Sequence, residues 1–181
     1  MNYDVCIIGA GITGAMTARK LAAYDVSVAV LEAAGDVAMG ATKANSAIVH
    51  AGFDAEEGTL KARLNVAGCA MMSAECAELD VPYDNCGSLV CAYSDEEIAH
   101  LEKLLARGNA NGVPGLRIVS QAELREMEPS ISPDAVAALW APTAGIVCPY
   151  ELCIASCEHA AVNGADFYLN PHGNSDKSPH R

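Results

Sequence analysis

Basic residues are scarce in this sequence: 11 lysines and arginines stand against 23 aspartates and glutamates, a formal net charge of −12. A nucleic-acid surface needs clustered Lys and Arg to neutralise phosphates, and no basic stripe exists here, so nucleic acid is not an expected partner. Long uncharged apolar runs are missing as well, which leaves no candidate transmembrane segment. Asp4 falls where a secretory signal would carry a basic region, and the expected location is therefore cytoplasmic. The eight cysteines, at 6, 69, 76, 86, 91, 148, 153 and 157, contain no C-x-x-C pair, the spacing that most zinc and many iron–sulfur sites use. Cys153 and Cys157 lie four apart on an expected helix and read as buried thiols rather than metal ligands. With no secretory signal, reduced thiols are expected and disulfides are not. No internal repeat is visible, which leaves out repeat architectures.

What the chain does have is apolar content: 51% of its residues are hydrophobic and only 19% charged, enough to bury a core. The stretch "VCIIGAGITG", Val5 to Gly14, places glycines at the spacing G-x-G-x-x-G directly behind a β-branched run, Tyr3 to Ile8. That run suits a central parallel strand covered on both faces. After Gly14 the residues Ala15, Met16, Ala18, Leu21 and Ala22 repeat with helical period. The glycines therefore occupy a strand-to-helix turn, where Gly9 allows the tight turn, Gly11 lets a pyrophosphate approach the backbone and Gly14 lets the helix pack on its strand. The helix amino terminus offers free N–H groups to that phosphate. A second apolar run, Val26 to Leu31, closes on Glu32, 18 residues beyond Gly14. An acid at that place accepts hydrogen bonds from an adenosine ribose and disfavours a 2′-phosphate.

Farther along, Ala33–Gly58 is long, small and polar, and loops of that length in compact domains usually carry function. Within it Thr42, Asn45, Ser46 and His50 are the groups available to extend a dinucleotide site. A helix is expected over Thr59–Leu79, with Leu60, Leu64, Ala67, Met71 and Ala74 near one face and the Met71-Met72 pair filling core. From Val81 the pattern changes to strands at Ser88–Tyr93, Arg117–Val119 and Val136–Ala141. Helices are expected behind two capping boxes, Ser94 with Glu97 and Ser120 with Glu123. Pro149–Asn163 reads as a helix and Ala165–Leu169 as a strand. The expected fold class is α/β, a Rossmann-like dinucleotide-binding domain with a βαβ start and a parallel sheet, carrying an inserted α+β segment. Residues 1–80 form its first part, 81–145 the insert, 146–170 the return, and 171–181 a polar, proline-broken tail that reads as disordered.

The segments "NSAIVHAGFDAEEGTLKARLNVAG", "PYDNCGSLVCAYSDEE", "LREMEP" and "APTAGIVCPYE", in that order, resemble the FAD-dependent oxidoreductases of the D-amino-acid-oxidase-like superfamily. The anaerobic-type glycerol-3-phosphate dehydrogenases are the nearest in look, and the L-2-hydroxyglutarate oxidases are close behind. The resemblance implies FAD as cofactor, with Gly9, Gly11 and Gly14 at its pyrophosphate, Glu32 at its adenosine ribose, and Thr42, Asn45 and Ser46 along the path toward the flavin. His50 matches a family histidine near the isoalloxazine; it is a candidate catalytic base, or a residue that hydrogen-bonds the loop or the flavin. Lys43 and Arg63 are either attractors of a small anionic substrate or solvated surface cations. Related proteins continue well past "GADFYLN", so the resemblance also implies a carboxy-terminally truncated chain with an incomplete substrate site, weak flavin affinity and a tendency to associate. A missing carboxy-terminal portion or an electron-transfer subunit is the implied partner. The function implied is oxidation of a small anionic alcohol, foremost sn-glycerol 3-phosphate. The alternatives are a 2-hydroxyacid oxidase and an inactive nucleotide-binding remnant.

Overall fold

A computed structural model describes residues 2–170. Along the chain the elements run β1 (Val5–Ile8), α1 (Ile12–Leu21), β2 (Val28–Glu32), a 3-10 turn at Ala41–Lys43, β3 (Ile48–Val49), α2 (Leu60–Glu78), β4 (Tyr83–Asp84), β5 (Ser88–Ala92), α3 (Asp95–Ala110), β6 (Arg117–Ser120), α4 (Gln121–Met127), β7 (Ala137–Ala141), β8 (Gly145–Val147), α5 (Pro149–Val162) and β9 (Asp166–Leu169). Contacts gather them into two compact units. Of the described residues, one comprises 2–47, 76–82 and 147–170; the other comprises Ile48–Glu75 and Tyr83–Ile146. The tail expected at 171–181 lies outside the described residues.

The first unit is built on a parallel sheet in the order β1-β2-β9. Val5 pairs with Val28 and Ile8 with Leu31, and on the other side Ala29 pairs with Asp166 and Glu32 with Leu169. Val28, Val30 and Phe167 meet Ala15 and Ala18 of α1 and Cys153, Cys157 and Ala160 of α5 in one core. Small side chains on both helices let them lie close to each other and to the sheet. Ser156, fully buried on α5, satisfies its hydroxyl by donating to the carbonyl of Leu152 at 2.6 Å. Arg19, nearly buried on α1, pairs with Glu78 at 2.6 Å.

Two expectations for this sheet are corrected. The run Tyr3–Ile8 was expected as a central strand covered on both faces, but among the described residues the central strand is β2. In β1 burial alternates, Val5 and Ile7 turning to the core while Ile8 is 88% exposed. A strand with helices over one face and a partner on one edge buries every second side chain, whatever its apolar content. The second strand starts at Val28 rather than Val26, because Ser27 is held by Asp4: the Ser27 amide and hydroxyl both donate to Asp4 Oδ2, at 2.9 and 2.6 Å. The Ser27 hydroxyl bond foremost, with its amide, keeps the Asp4 carboxyl below the usual carboxylate range. Tyr3, just ahead of β1, donates to Asp166 Oδ2 at 2.8 Å and shares a 2.6 Å bond with the Tyr168 hydroxyl, which ties the chain start to β9.

The second unit centres on an antiparallel sheet in the order β5-β7-β6. Ser88 pairs with Ala141 and Ala92 with Ala137; Arg117 pairs with Trp140 and Ser120 with Ala137. Strand β7 is covered on both faces: Ala137, Leu139 and Ala141 join Leu101 and Leu104 of α3, whereas Ala138 joins Val119 of β6 and Leu124 of α4. That alternation is the period of two of a strand read from both sides. Both capping serines act as expected, Ser94 Oγ accepting from the Glu97 amide and Ser120 Oγ from the Glu123 amide. Strands β3, β8 and β4 add a small sheet in which Ile48 pairs with Ile146 and Val49 with Gly145. Elements of two or three residues show no periodicity, and these were not anticipated.

Residues 1–80 were expected to belong to one domain, yet 48–75 group with the second unit. The carboxyl end of α3 explains why: Asn111 donates to the carbonyls of Gly52 and Ala55, at 3.0 and 2.8 Å, and Arg107 to that of Asp54 at 3.0 Å. A further correction concerns α2. The Met71-Met72 pair was expected to fill core, but Met71 is 49% exposed and shares a solvent-facing side with Leu60 and Leu64, 60% and 57% exposed, while the opposite side buries Ala62 and Cys76. Among the described residues no helix is long and apolar enough to cross a membrane.

Candidate dinucleotide site

The glycine turn is made by three constraints that act together. Gly9 follows β1 at φ +100°, a backbone conformation that side-chain-bearing residues rarely adopt, and its amide donates to the Leu31 carbonyl at 2.7 Å. Gly14 sits in the first turn of α1 with no room for a side chain: a Cβ there would lie 2.0 Å from the carbonyl oxygen of Gly9. Gly11 is the N-cap of α1 and has no side chain to bond the helix amides. Thr42 supplies that bond from 30 residues away, its Oγ1 accepting from the Ile12 amide at 3.0 Å, and a Cβ on Gly11 would come within 3.1 Å of the same hydroxyl.

Glu32 closes β2 beside this turn. Its Oε1 accepts from the Ala34 amide and its Oε2 from the Ala10 amide, both at 2.8 Å. These two bonds, Ala34 first and Ala10 next, keep the carboxyl below the usual range against the opposing effect of partial burial. The carboxylate is thus ionised, held in one orientation, and left with unused lone pairs for hydroxyl donors.

Asn45 organises the chain that returns from the turn. Its Nδ2 donates to the carbonyl of Thr42 at 2.8 Å and of Ala41 at 3.2 Å, and its Oδ1 accepts from the Ala47 amide at 2.8 Å. Ala47 is held at φ +63° by that bond. The structure therefore brings Gly9, Gly11, Gly14, Glu32 and Thr42 together, with Asn45 supporting Thr42 from behind. Ser46 is exposed and makes no such contact. His50 is exposed just past β3, in the other unit. Lys43 and Arg63 are both exposed.

Sequence reasoning missed three residues of the turn. Ala10 gives its amide to Glu32, and its carbonyl accepts from the Ala38 amide at 3.0 Å and the Cys153 thiol at 3.4 Å. Ala38 adopts φ +60° while fully buried. Cys153, also fully buried, underpins the turn from α5, and its neighbour Cys157 is kept protonated by the bond between the two thiols and by burial. Nothing in an alanine or in a cysteine 143 residues away marks these contacts in the sequence.

The cradle fits a dinucleotide. The turn carries no Cβ at Gly9, Gly11 and Gly14, α1 carries no acidic residue in its first turn to repel a phosphate, and an oriented carboxylate stands at the end of β2. Fold and site together define a dinucleotide-binding α/β protein.

The chain belongs to the DAO family of FAD dependent oxidoreductases, whose model matches residues 4–175. A glycerol 3-phosphate dehydrogenase of Caloramator mitchellensis is 48% identical over 168 residues, which cover 93% of this chain and 35% of that protein. The human mitochondrial L-2-hydroxyglutarate dehydrogenase is 38% identical over 130 residues, 71% of this chain and 28% of that one. Among solved structures, the FAD-bound L-alpha-glycerophosphate oxidase of Mycoplasma pneumoniae superposes with a TM-score of 0.87 at 27% identity, covering 94% of this chain and 45% of that one. Glycine oxidase of Geobacillus kaustophilus superposes with a TM-score of 0.84 at 28% identity. The chain thus spans about a third of the length of the sequence relatives it matches.

Proposed function

We infer that this chain is the dinucleotide-binding part of an FAD-dependent dehydrogenase that oxidises sn-glycerol 3-phosphate to dihydroxyacetone phosphate. The cradle of Gly9, Gly11, Gly14 and Glu32 carries the cofactor half of this proposal, and the identity of 48% to a glycerol 3-phosphate dehydrogenase supports the substrate. Within the cradle, the turn amides and the amino end of α1 hold the pyrophosphate, Glu32 holds the adenosine ribose, and Thr42 with Asn45 and Ser46 lines the path toward the flavin ring. Held there, FAD would supply the two-electron acceptor for oxidation of the carbinol carbon. His50 takes the hydroxyl proton, as an imidazole acting as general base can. Lys43 and Arg63 are the cations available to draw in a substrate phosphate. The polypeptide beyond the aligned third of the relatives, or an electron-transfer subunit, completes the substrate site, and the reaction runs in the cytoplasm.

A second reading, oxidation of a 2-hydroxyacid of the L-2-hydroxyglutarate type, is favoured by the several such dehydrogenases at 34–38% identity. A visible spectrum separates these readings. The purified chain is loaded with FAD, freed of excess and mixed anaerobically with glycerol 3-phosphate or L-2-hydroxyglutarate. Retained flavin bleached by glycerol 3-phosphate is the expected result, and bleaching by the hydroxyacid alone supports the second reading. Flavin retained but reduced by neither marks a nucleotide-binding remnant without turnover, and flavin that is never retained overturns the cofactor assignment.

A further inference from the structure

The glycine turn uses most of its backbone amides within the chain. Gly9 gives its N–H to the Leu31 carbonyl, Ala10 to the Glu32 carboxylate and Ile12 to the Thr42 hydroxyl. Of the amides of residues 9–12, that of Gly11 alone has no partner among the described residues. Its direction is set through the peptide it shares with Ala10. The Ala10 carbonyl accepts from the Ala38 amide at 3.0 Å and from the Cys153 thiol at 3.4 Å, so both of its lone pairs are engaged. Ala10, Ala38 and Cys153 are all fully buried, which turns this carbonyl into the core. In a planar trans peptide the N–H points away from the C=O, and the Gly11 N–H is therefore turned out of the core.

We propose that Cys153 is a positioning residue for the dinucleotide: by binding the Ala10 carbonyl from α5, it aims the Gly11 N–H at the ligand's diphosphate. The proposal rests on the cofactor reading above, which gives Cys153 no part. Two features set the arrangement apart from ordinary core packing. The proton of Cys153 has its acceptor 143 residues away, in the turn itself, whereas Ser156 on the same helix donates to the Leu152 carbonyl one turn back. Cys153 also acts on the Ala10–Gly11 peptide, whereas Glu32 bonds the amide of the peptide before it, Gly9–Ala10. Without the thiol bond, the peptide that faces the diphosphate is less firmly held, while the Glu32 carboxylate stays tied to Ala10 and Ala34 and keeps its grip on the ribose.

The test titrates the full chain at pH 7 with FAD, with ADP and with adenosine, and follows binding by calorimetry. Cys153→Ala should weaken ADP and FAD about three- to tenfold, the effect of one hydrogen bond, and leave adenosine, which has no diphosphate, unchanged. Cys153→Val fills the space without a donor and should follow alanine, so that a cavity is not mistaken for a lost bond. Cys153→Ser keeps a donor and should recover most of the affinity for ADP. The control Cys86→Ser, at an exposed thiol, should match the parent throughout. A packing role alone would weaken all three ligands alike. The proposal is overturned if either donorless variant binds ADP as tightly as the parent, if adenosine and ADP are lost in equal measure, or if serine does no better than alanine. A parent chain that binds neither FAD nor ADP overturns the cofactor reading and this proposal together. A parent that binds both, with Cys153→Ala indistinguishable from it, overturns this proposal alone.

Discussion

At the scale of single residues, Glu32 carries the most weight. Its carboxylate binds two backbone amides, Ala10 in the glycine turn and Ala34 past the strand, so one side chain ties the turn to the chain that leaves β2. Its pKa is lowered in the folded state, so its contribution to stability is complete above the ordinary glutamate value of about 4.3 and is lost as pH falls through the lower folded value. Replacing it by glutamine keeps one acceptor oxygen and sets an NH2 group against one of the amides. We expect Glu32→Gln to lose about 1–3 kcal/mol of stability at pH 7 and to flatten the loss of stability below pH ~5, as read by urea unfolding at several pH values. A variant whose acid sensitivity equals that of the parent would remove Glu32 from this role. Glu32 and the three glycines were legible in the sequence because each meets a requirement that few residue types satisfy. Thr42 was legible only as a polar residue in a long loop; its bond to the Ile12 amide joins positions 30 apart and leaves no local trace.

At the scale of elements, the helices were legible from their ends. Ser94 precedes α3, its hydroxyl accepts from the Glu97 amide at 3.3 Å, and Glu97 Oε2 returns a bond to the Tyr93 amide at 2.6 Å. This exchange satisfies one amide of the first turn, that of Glu97, and the amide of Tyr93 just ahead of the cap. Ser94→Ala should lower stability by about 1 kcal/mol, measured by thermal unfolding, with the α/β circular dichroism spectrum retained. An unchanged melting curve would show that water caps this helix equally well. Orientation of the elements was not legible. The apolar seam of α2 has the same spacing whether it faces core or solvent, and the sequence reading put only the Met71-Met72 pair in the core. Likewise β1 has the composition of a central strand and, among the described residues, pairs on one side only, because burial depends on what lies across the sheet and not on the strand's own residues.

At the scale of the whole molecule, acidity and exposed apolar surface act against each other. A net charge of −12 keeps copies apart at neutral pH, while Ile8, Val162 and the α2 seam offer apolar contacts. As pH approaches the isoelectric value of about 4.6 the repulsion vanishes, and light scattering should rise there and fall again by pH 8. A signal flat across that range would mean that these groups are too few to drive association. By itself the sequence determined the dinucleotide-binding βαβ start, the acid at the end of β2, the capped helices and the family, because each rests on a local pattern or on several motifs in order. Only the tertiary structure decided that 48–75 group with the insert, that β2 is the central strand of its sheet among the described residues, that Cys153 and Ala38 hold the glycine turn, and which face of α2 meets solvent. Those outcomes depend on pairings between residues far apart in the chain, and a residue's own chemistry states what it can bond to but not what the fold brings within reach.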